Sequence, residues 1–460
     1  MIKICYVLLQ NIKIKNPISF FVKRKFLTLI SFLIQLIMTI PTNNCKNFNQ
    51  TQNHEIQNRL VTGGKIVEIN NVTILFLNGS YYEMGYQQGY LLKDEIKQNL
   101  RAFIDYSGME MDLLIETWDI MKDYVPEEYI QEIQGIADGA ELTFEEVIAG
   151  YMVITREDMG CFGISAWGDA TENGNLIHTR CFDQPLDIVD PITGKYAYEN
   201  NMLVVRKPEG GIPSISPSIA GTPHSGGGVN SMGIALGQQV CWSKDQTFKG
   251  TPALFKSLMV LDHAENIDEA ISILTTNNTL GWNYIVSDAK IPIGYAVEIT
   301  ANHTYIGAWD NTVEANYPFW TIKDVVRRTN FFLEPTIALT QRDSVNPATL
   351  KSLIQLVIRT SVFYAVWRSY RAISNDIEKK WGTLNLDSSM DLIREGYAGN
   401  TDLLLKLIIK LAEGTSFNRA WNIWVADPIS GDILICFAKD GKISFENPVN
   451  HFNMFELFDT

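Results

Sequence analysis

The chain has 460 residues, 46% hydrophobic and 20% charged, with a formal net charge of −14 and a pI of about 5.0. Such a chain builds two or three domains, or one large layered domain with N-terminal material in front of it. The acidic balance excludes nucleic acid as a partner, because the phosphate term that dominates such binding would be repulsive.

The first 41 residues read as a signal peptide or signal anchor. Lys23, Arg24 and Lys25 precede an uncharged run over 26–40, the length of a secretory h-region and shorter than the roughly 20 residues of a membrane span. The expectation is the secretory pathway, with a secreted or a lysosomal or vacuolar product. The alternative is membrane anchoring through 26–40, and no other membrane contact is expected. Residues 42–64, rich in Asn and Gln, read as a polar linker. Asn-x-Ser/Thr acceptors begin at Asn49, Asn71, Asn78, Asn277 and Asn302, compatible with that route.

Residues 65–160 form a mostly helical N-terminal segment. "KIVEINNVTILFLNGS" predicts two short strands around Asn70 and Asn71. Helical spacing then runs through Met84, Leu91, Leu92, Ile96, Leu100 and Phe103. Gly85 and Gly89 share one face of that helix and predict a close helix crossing. "EEYIQEIQGIADGAEL" and "TFEEVIAGYMVI" predict two further helices, the second opened by a Thr143–Glu146 capping box.

From Cys161 to residue 460 the pattern changes. "CFGISAWG" and "LIHTRCF" read as paired strands, "MLVVRK" as another, and "HSGGGVNSMGIALGQQV" as a Gly-rich turn feeding a buried strand. No GK[ST] follows those glycines, so they form no P-loop. Helices are predicted at Phe255–Leu261 and Ile267–Leu274, strands at "WNYIVSD" and "GYAVEIT", helix over 347–410, and closing strands in "WNIWVAD" and "DILICFA". Strands, then helices, then strands predict an α+β fold of sheets covered by helices, an αββα-like sandwich.

The six cysteines stand at 5, 45, 161, 181, 241 and 436, with no CxxC, HxH or HExxH among them and the histidines. They read as buried thiols, without a metal or other cofactor. Cys161 differs in its setting. If the two strands pair about Glu172, beside the turn signal Asn173-Gly174, residue 161 lies opposite about 183 with Arg180 close by. A thiol, a guanidinium and a carboxylate then meet at one sheet end. A thiol needs a base to act as a nucleophile, and the pattern places no histidine to serve; His178 is a step too far along the strand. Cutting Gly160–Cys161 would supply one, since a free α-amino group has a pKa of about 7.7–8.0. Asp183 would orient that amine. The alternative is a buried cysteine beside a structural ion pair.

The pattern "GC…AWG.AT..G.LIH.R..D" resembles the N-terminal-nucleophile (Ntn) amidohydrolases related to penicillin (isopenicillin N) acyltransferase, choloylglycine hydrolase and β-alanyl-dopamine hydrolase. "YYEMGYQQGYLL", "EIQGIADGAEL", "GVNSMGIALG", "KGTPALFKSLM", "YIVSD" and "AVEIT" are similar to that family's stretches in order, over roughly 65–440. The resemblance implies a four-layer αββα fold and autocatalytic cleavage between Gly160 and Cys161. It makes 65–160 a propeptide or α chain and 161–460 the catalytic chain. It also implies chemistry on C–N amide bonds, with Cys161 as nucleophile and Arg180 and Asp183 as its hairpin partners. Asn316, in "EANYP", matches the expected oxyanion amide. Arg368 matches a second site arginine, with Arg371 as runner-up. Arg180-Cys181-Phe182-Asp183 departs from the usual Arg-Asn-x-Asp. The second oxyanion amide has no clear match; Gln239 is nearest, and Asn230 in the Gly-rich turn is a further secondary candidate.

The expected activity is a cysteine amidohydrolase or acyltransferase acting on a small amide or acyl substrate through a thioester on Cys161. The alternatives are a lipid or ester deacylase on the same nucleophile, and a secreted binding protein that keeps the fold without cleavage.

Overall fold

The computed structural model describes residues 59–156, 160–342, 365–397 and 420–460. The chain opens with β1 (Arg59–Val61), β2 (Gly64–Ile69) and β3 (Val72–Gly79), then helices α1 (Tyr81–Leu91), α2 (Lys93–Ser107), α3 (Met111–Met121), α4 (Glu127–Ala140) and α5 (Phe144–Arg156). The hairpin β4 (Gly160–Ala166) and β5 (Ile177–Asp183) precedes β6 (Asn201–Pro208), β7 (Ser214–Ile219), β8 (Gly227–Asn230) and β9 (Ile234–Val240). Helices α6 (Ala253–His263) and α7 (Ile267–Thr275) lead to β10 (Trp282–Asp288), β11 (Ile293–Ile299), β12 (Thr304–Gly307) and β13 (Val325–Arg328). Helices α8 (Ala365–Lys380) and α9 (Leu386–Tyr397) and strands β14 (Asn422–Asp427), β15 (Asp432–Phe437) and β16 (Asn450–Asn453) complete the described elements used below.

These strands form two sheets, ordered β1-β2-β3-β6-β7-β8-β9-β10-β11-β12 and β13-β4-β5-β14-β15-β16. Phe76, Leu203, Val205 and Ile215 of the first sheet pack with Trp424, Ile433 and Ile435 of the second. Met84, Ile133, Met152 and Leu258 from the helices cover the outer side of the ten-stranded sheet. Ile373, Ile377 and Ile393 of α8 and α9 cover the six-stranded sheet against Phe162, Ile164, Ile423 and Val425. The architecture is the four-layer αββα sandwich expected. Central strands are buried on both faces, which is why they read as near-continuous apolar runs.

The N-terminal segment is part of this body. β3 pairs with β6 in parallel, Ile74 opposite Leu203 through Gly79 opposite Pro208. The sheet begins at Arg59, inside the stretch read as linker; three residues are too few to show alternation. There the Arg59 guanidinium meets both carboxylate oxygens of Glu95. The Thr143–Glu146 capping box forms in both directions. The expected glycine crossing also forms: a β-carbon on Gly85 would stand 2.0 Å from the Glu132 carbonyl oxygen, so only glycine lets α1 and α4 touch backbone to backbone. Part of the helical stretch expected over 347–410 lies outside the described residues.

Candidate active site

The β4–β5 ladder pairs Gly160 with Asp183, Cys161 with Phe182 and Gly163 with Arg180. The register is one residue from that expected, because the connection is not a tight Asn-Gly turn. The last pair is Ala166–Ile177, and the loop between them contains a 3-10 turn at Gly168–Ala170. Side chains alternate across a strand, so one step exchanges faces. Arg180, not Asp183, therefore shares the sulfur's face, which looks toward the ten-stranded sheet. Asp183 lies on the other face beside Gly160, its Cβ 3.0 Å from where a β-carbon on that glycine would stand.

Arg180 is buried, and its Nη2 donates to Cys161 Sγ at 3.3 Å. The guanidinium is fixed by Nε and Nη2 bonds to the Gln238 carbonyl (3.1 and 2.9 Å) and an Nη1 bond to the Ser225 carbonyl (2.5 Å). The Gly-rich turn explains itself here. A β-carbon on Gly226, at φ +81°, would stand 2.6 Å from Arg180 Nη2. The Cys161 backbone N–H donates to Asn330 Oδ1 at 2.9 Å, and Asn330 Nδ2 donates to the Val240 carbonyl at 2.9 Å. Sequence reasoning passed over Asn330. Its one signal is an amide directly after the short run "VVRRT", and β13 within that run pairs with β4, the strand of Cys161.

Behind the ladder Cys181 Sγ donates to Asp183 Oδ1 at 2.8 Å, and burial together with that carboxylate pushes the Cys181 thiol well up. Thus a thiol occupies the place where the resemblance expects an amide. Neither interior histidine is a base for Cys161. His178 Nδ1 meets Ser287 Oγ at 2.8 Å and its Nε2 has no partner. His224 accepts from the Gly226 N–H and contacts the Leu254 carbonyl. Burial pushes both down to about 3.

The remaining candidates separate. Gln239 is wholly buried with no partner for either amide atom, and its Nε2 lies 2.7 Å from where a β-carbon on Gly163 would stand. Asn316 is exposed at the end of a 3-10 turn ahead of Tyr317-Pro318, with its backbone N–H and carbonyl closing local turns. The amide beside Cys161 is that of Asn330. Asn230 braces its own turn: Nδ2 donates to the Leu261 and Ala264 carbonyls, and Oδ1 accepts from Met232 and Ile234. That uses all its capacity and makes it structural. Arg371 is exposed, and the Arg368 side chain lies outside the described residues. Asn71, Asn78, Asn277 and Asn302 are exposed, while Asn49 lies outside the described residues.

A narrow cavity opens beside Ser225, Gly226 and Gln238, the residues that surround the Arg180 guanidinium. Phe103, Val153 and Ile154, from helices preceding Cys161, line one wall; Phe182, Leu254 and Gln238 line the other.

The sandwich is the fold that the resemblance to the Ntn hydrolases implies. Residues 194–363 match the family model described as Acyl-coenzyme A:6-aminopenicillanic acid acyl-transferase, so the resemblance read from the sequence holds over this stretch. The match starts after the Cys161 hairpin. A protein of Archaeoglobus fulgidus, described as uncharacterized, is 23% identical over 78% of this chain and 63% of its own length. Protein dcd1A of Dictyostelium discoideum is 28% identical over 36% of this chain and 46% of its own. The chain thus spans less than two thirds of these relatives. Penicillin V acylase from Agrobacterium tumefaciens aligns at 15% identity over 64% of this chain and 87% of its own, with a TM-score of 0.39.

Proposed function

We propose that the protein is a self-processing cysteine amidohydrolase or acyltransferase whose nucleophile is Cys161. One observation carries the reading: the sulfur and the nitrogen of Cys161 are each held by a dedicated side chain, Arg180 at 3.3 Å and Asn330 at 2.9 Å. In processing, Sγ attacks the Gly160 carbonyl carbon, the peptide C–N bond breaks, and the proton lost by sulfur passes to the departing nitrogen. Water then cleaves the thioester, leaving a carboxylate on Gly160 and a free amine on Cys161. In turnover that amine takes the thiol proton and gives it to the leaving amine of the substrate, while a guanidinium beside sulfur stabilises the thiolate. Water or an acceptor amine releases the acyl group from sulfur. Asp183, beside Gly160, orients the amine. The buried, unpartnered Gln239 amide supports its role as side-chain donor to the oxyanion.

The apolar lining of the cavity supports an acyl donor with an aliphatic or aromatic acyl group. It favours a second substrate class equally, the ester of the same acid, because both give one thioester. The exposed Asn-x-Ser/Thr sites support a secretory route. Among the described residues no helix is long and apolar enough to cross a membrane.

N-terminal sequencing of the purified protein tests the core of this reading. We expect a chain beginning at Cys161, tightly associated with its N-terminal partner, and a single uncut chain for Cys161→Ala. A wild-type protein that stays uncut and inert toward acyl amides and esters would favour the binding-protein alternative. Cleavage of Cys161→Ala at the same bond would show that another protease makes the cut.

A further inference from the structure

Asn283 lies at the start of β10, wholly buried, directly opposite Gln239 of β9. Its Nδ2 donates to two carbonyls, those of Thr329 and Phe331, each at 2.9 Å. They flank Asn330, the residue whose Oδ1 receives the Cys161 N–H. Beyond Arg328 the chain has left β13, so the strand ladder no longer fixes Asn330. The amide of Asn283 grips the backbone on both sides, and Gln341 Nε2 reaches the Asn330 carbonyl between them at 3.2 Å. Asn283 Oδ1 has no partner, so its hydrogen-bonding capacity is committed to this one segment.

We propose that Asn283 is a positioning residue for the Cys161 chemistry: by clamping the carbonyls on either side of Asn330 it aims the Asn330 amide at the Cys161 nitrogen. The proposal rests on the processing reading above. A misplacement of about 1 Å in such a constellation costs on the order of 100-fold. An asparagine that only stabilised the fold would lower the melting temperature and leave processing unchanged. Residues acting as one unit give strongly non-additive losses.

The test follows processing of freshly refolded full-length chain, by appearance of the fragment beginning at Cys161. Asn283→Ala and Asn330→Ala should each slow it about 10- to 100-fold, and the double variant should be no slower than the slower single. Wild-type processing by Asn283→Ala, or a double variant whose loss is the product of the two, overturns the proposal. If the alanine variant does not fold, Asn283→Asp replaces it. A carboxylate there lacks both donors, so processing relative to wild type should be slow at pH 8 and recover toward pH 5, where a protonated carboxyl regains one; a pH-independent ratio counts against the clamp. Hydrogen exchange at the residue-161 amide in the uncut Cys161→Ala background separates this inference from the processing reading. Faster exchange after adding Asn283→Ala supports the clamp even if the wild-type chain is never cut, and unchanged exchange overturns it.

Discussion

Truncating Glu132 should loosen the N-terminal segment from the body that carries Cys161. Glu132 sits on α4, before the proposed cut, and Arg206 on β6, after it. Arg206 Nη1 and Nη2 reach the two Glu132 oxygens at 2.5 and 2.9 Å, and Nη2 also reaches Asp262 Oδ2 at 3.4 Å. Arg206 and Asp262 side chains are wholly buried and Glu132 is 5% exposed. Removing one partner of a buried pair costs about 3–5 kcal/mol, because the remaining charge is stranded. Asp262 stays beside Arg206 after Glu132→Ala, so the expected loss is near the lower end, about 3 kcal/mol. That is on the order of 100-fold in the folded-to-unfolded ratio. The assay is urea unfolding of the uncut Cys161→Ala chain with and without Glu132→Ala, beside Glu145→Ala, an exposed glutamate on α5. Glu132→Gln, which keeps an acceptor, should fall between them. A Glu132→Ala midpoint no lower than that of Glu145→Ala would refute the reasoning.

Two further outcomes follow from the interior polar groups. Lys256 of α6 is buried, with Nζ on the Leu274 carbonyl and Asn278 Oδ1, and burial pushes it down to about 7. Between pH 7 and about 10.4 the unfolded chain binds the extra proton, so this lysine makes stability rise with pH in that window. Lys256→Met should flatten that part of the stability profile, gaining most over wild type below pH 7; parallel profiles would contradict it. Gln239→Ala, assayed as processed enzyme in single-turnover acylation, should lose about 100- to 1000-fold, the scale of one oxyanion donor. Acylation at the wild-type rate would assign that role to Asn330 or to backbone N–H groups.

What the sequence discloses about this molecule depends on the range of the interaction. The hairpin was legible because alternation and an Asn-Gly pair act within about 25 residues, and the pairing came within one step of the truth. That step mattered, since it decides whether Arg180 or Asp183 stands on the sulfur side, and it turns on a 3-10 turn that local propensity does not reveal. Thr143 and Glu146 disclosed their helix start for the same local reason. Asn330 escaped because β13 joins β4 across more than 150 residues, and nothing near "RRTN" marks that partner. Asn316 was favoured from its motif, yet a turn and a proline hold it in solvent. Arg206 and Glu132 escaped too, since a charge inside an apolar run shows its partner only when distant elements meet.

The parallel pairing of β3 with β6 changes what cleavage at Cys161 would mean for folding. In the intact chain both strands belong to one molecule, and the sheet closes at a rate and with a stability independent of concentration. After a cut, the same sheet is completed by two molecules, and the folded state acquires a concentration term as any obligate heterodimer does. A denatured precursor recovers by a first-order process, whereas a denatured mature enzyme must first find its other half. Dilution would then act on the mature form alone, giving it a lifetime set by its slowest unfolding event rather than by an equilibrium.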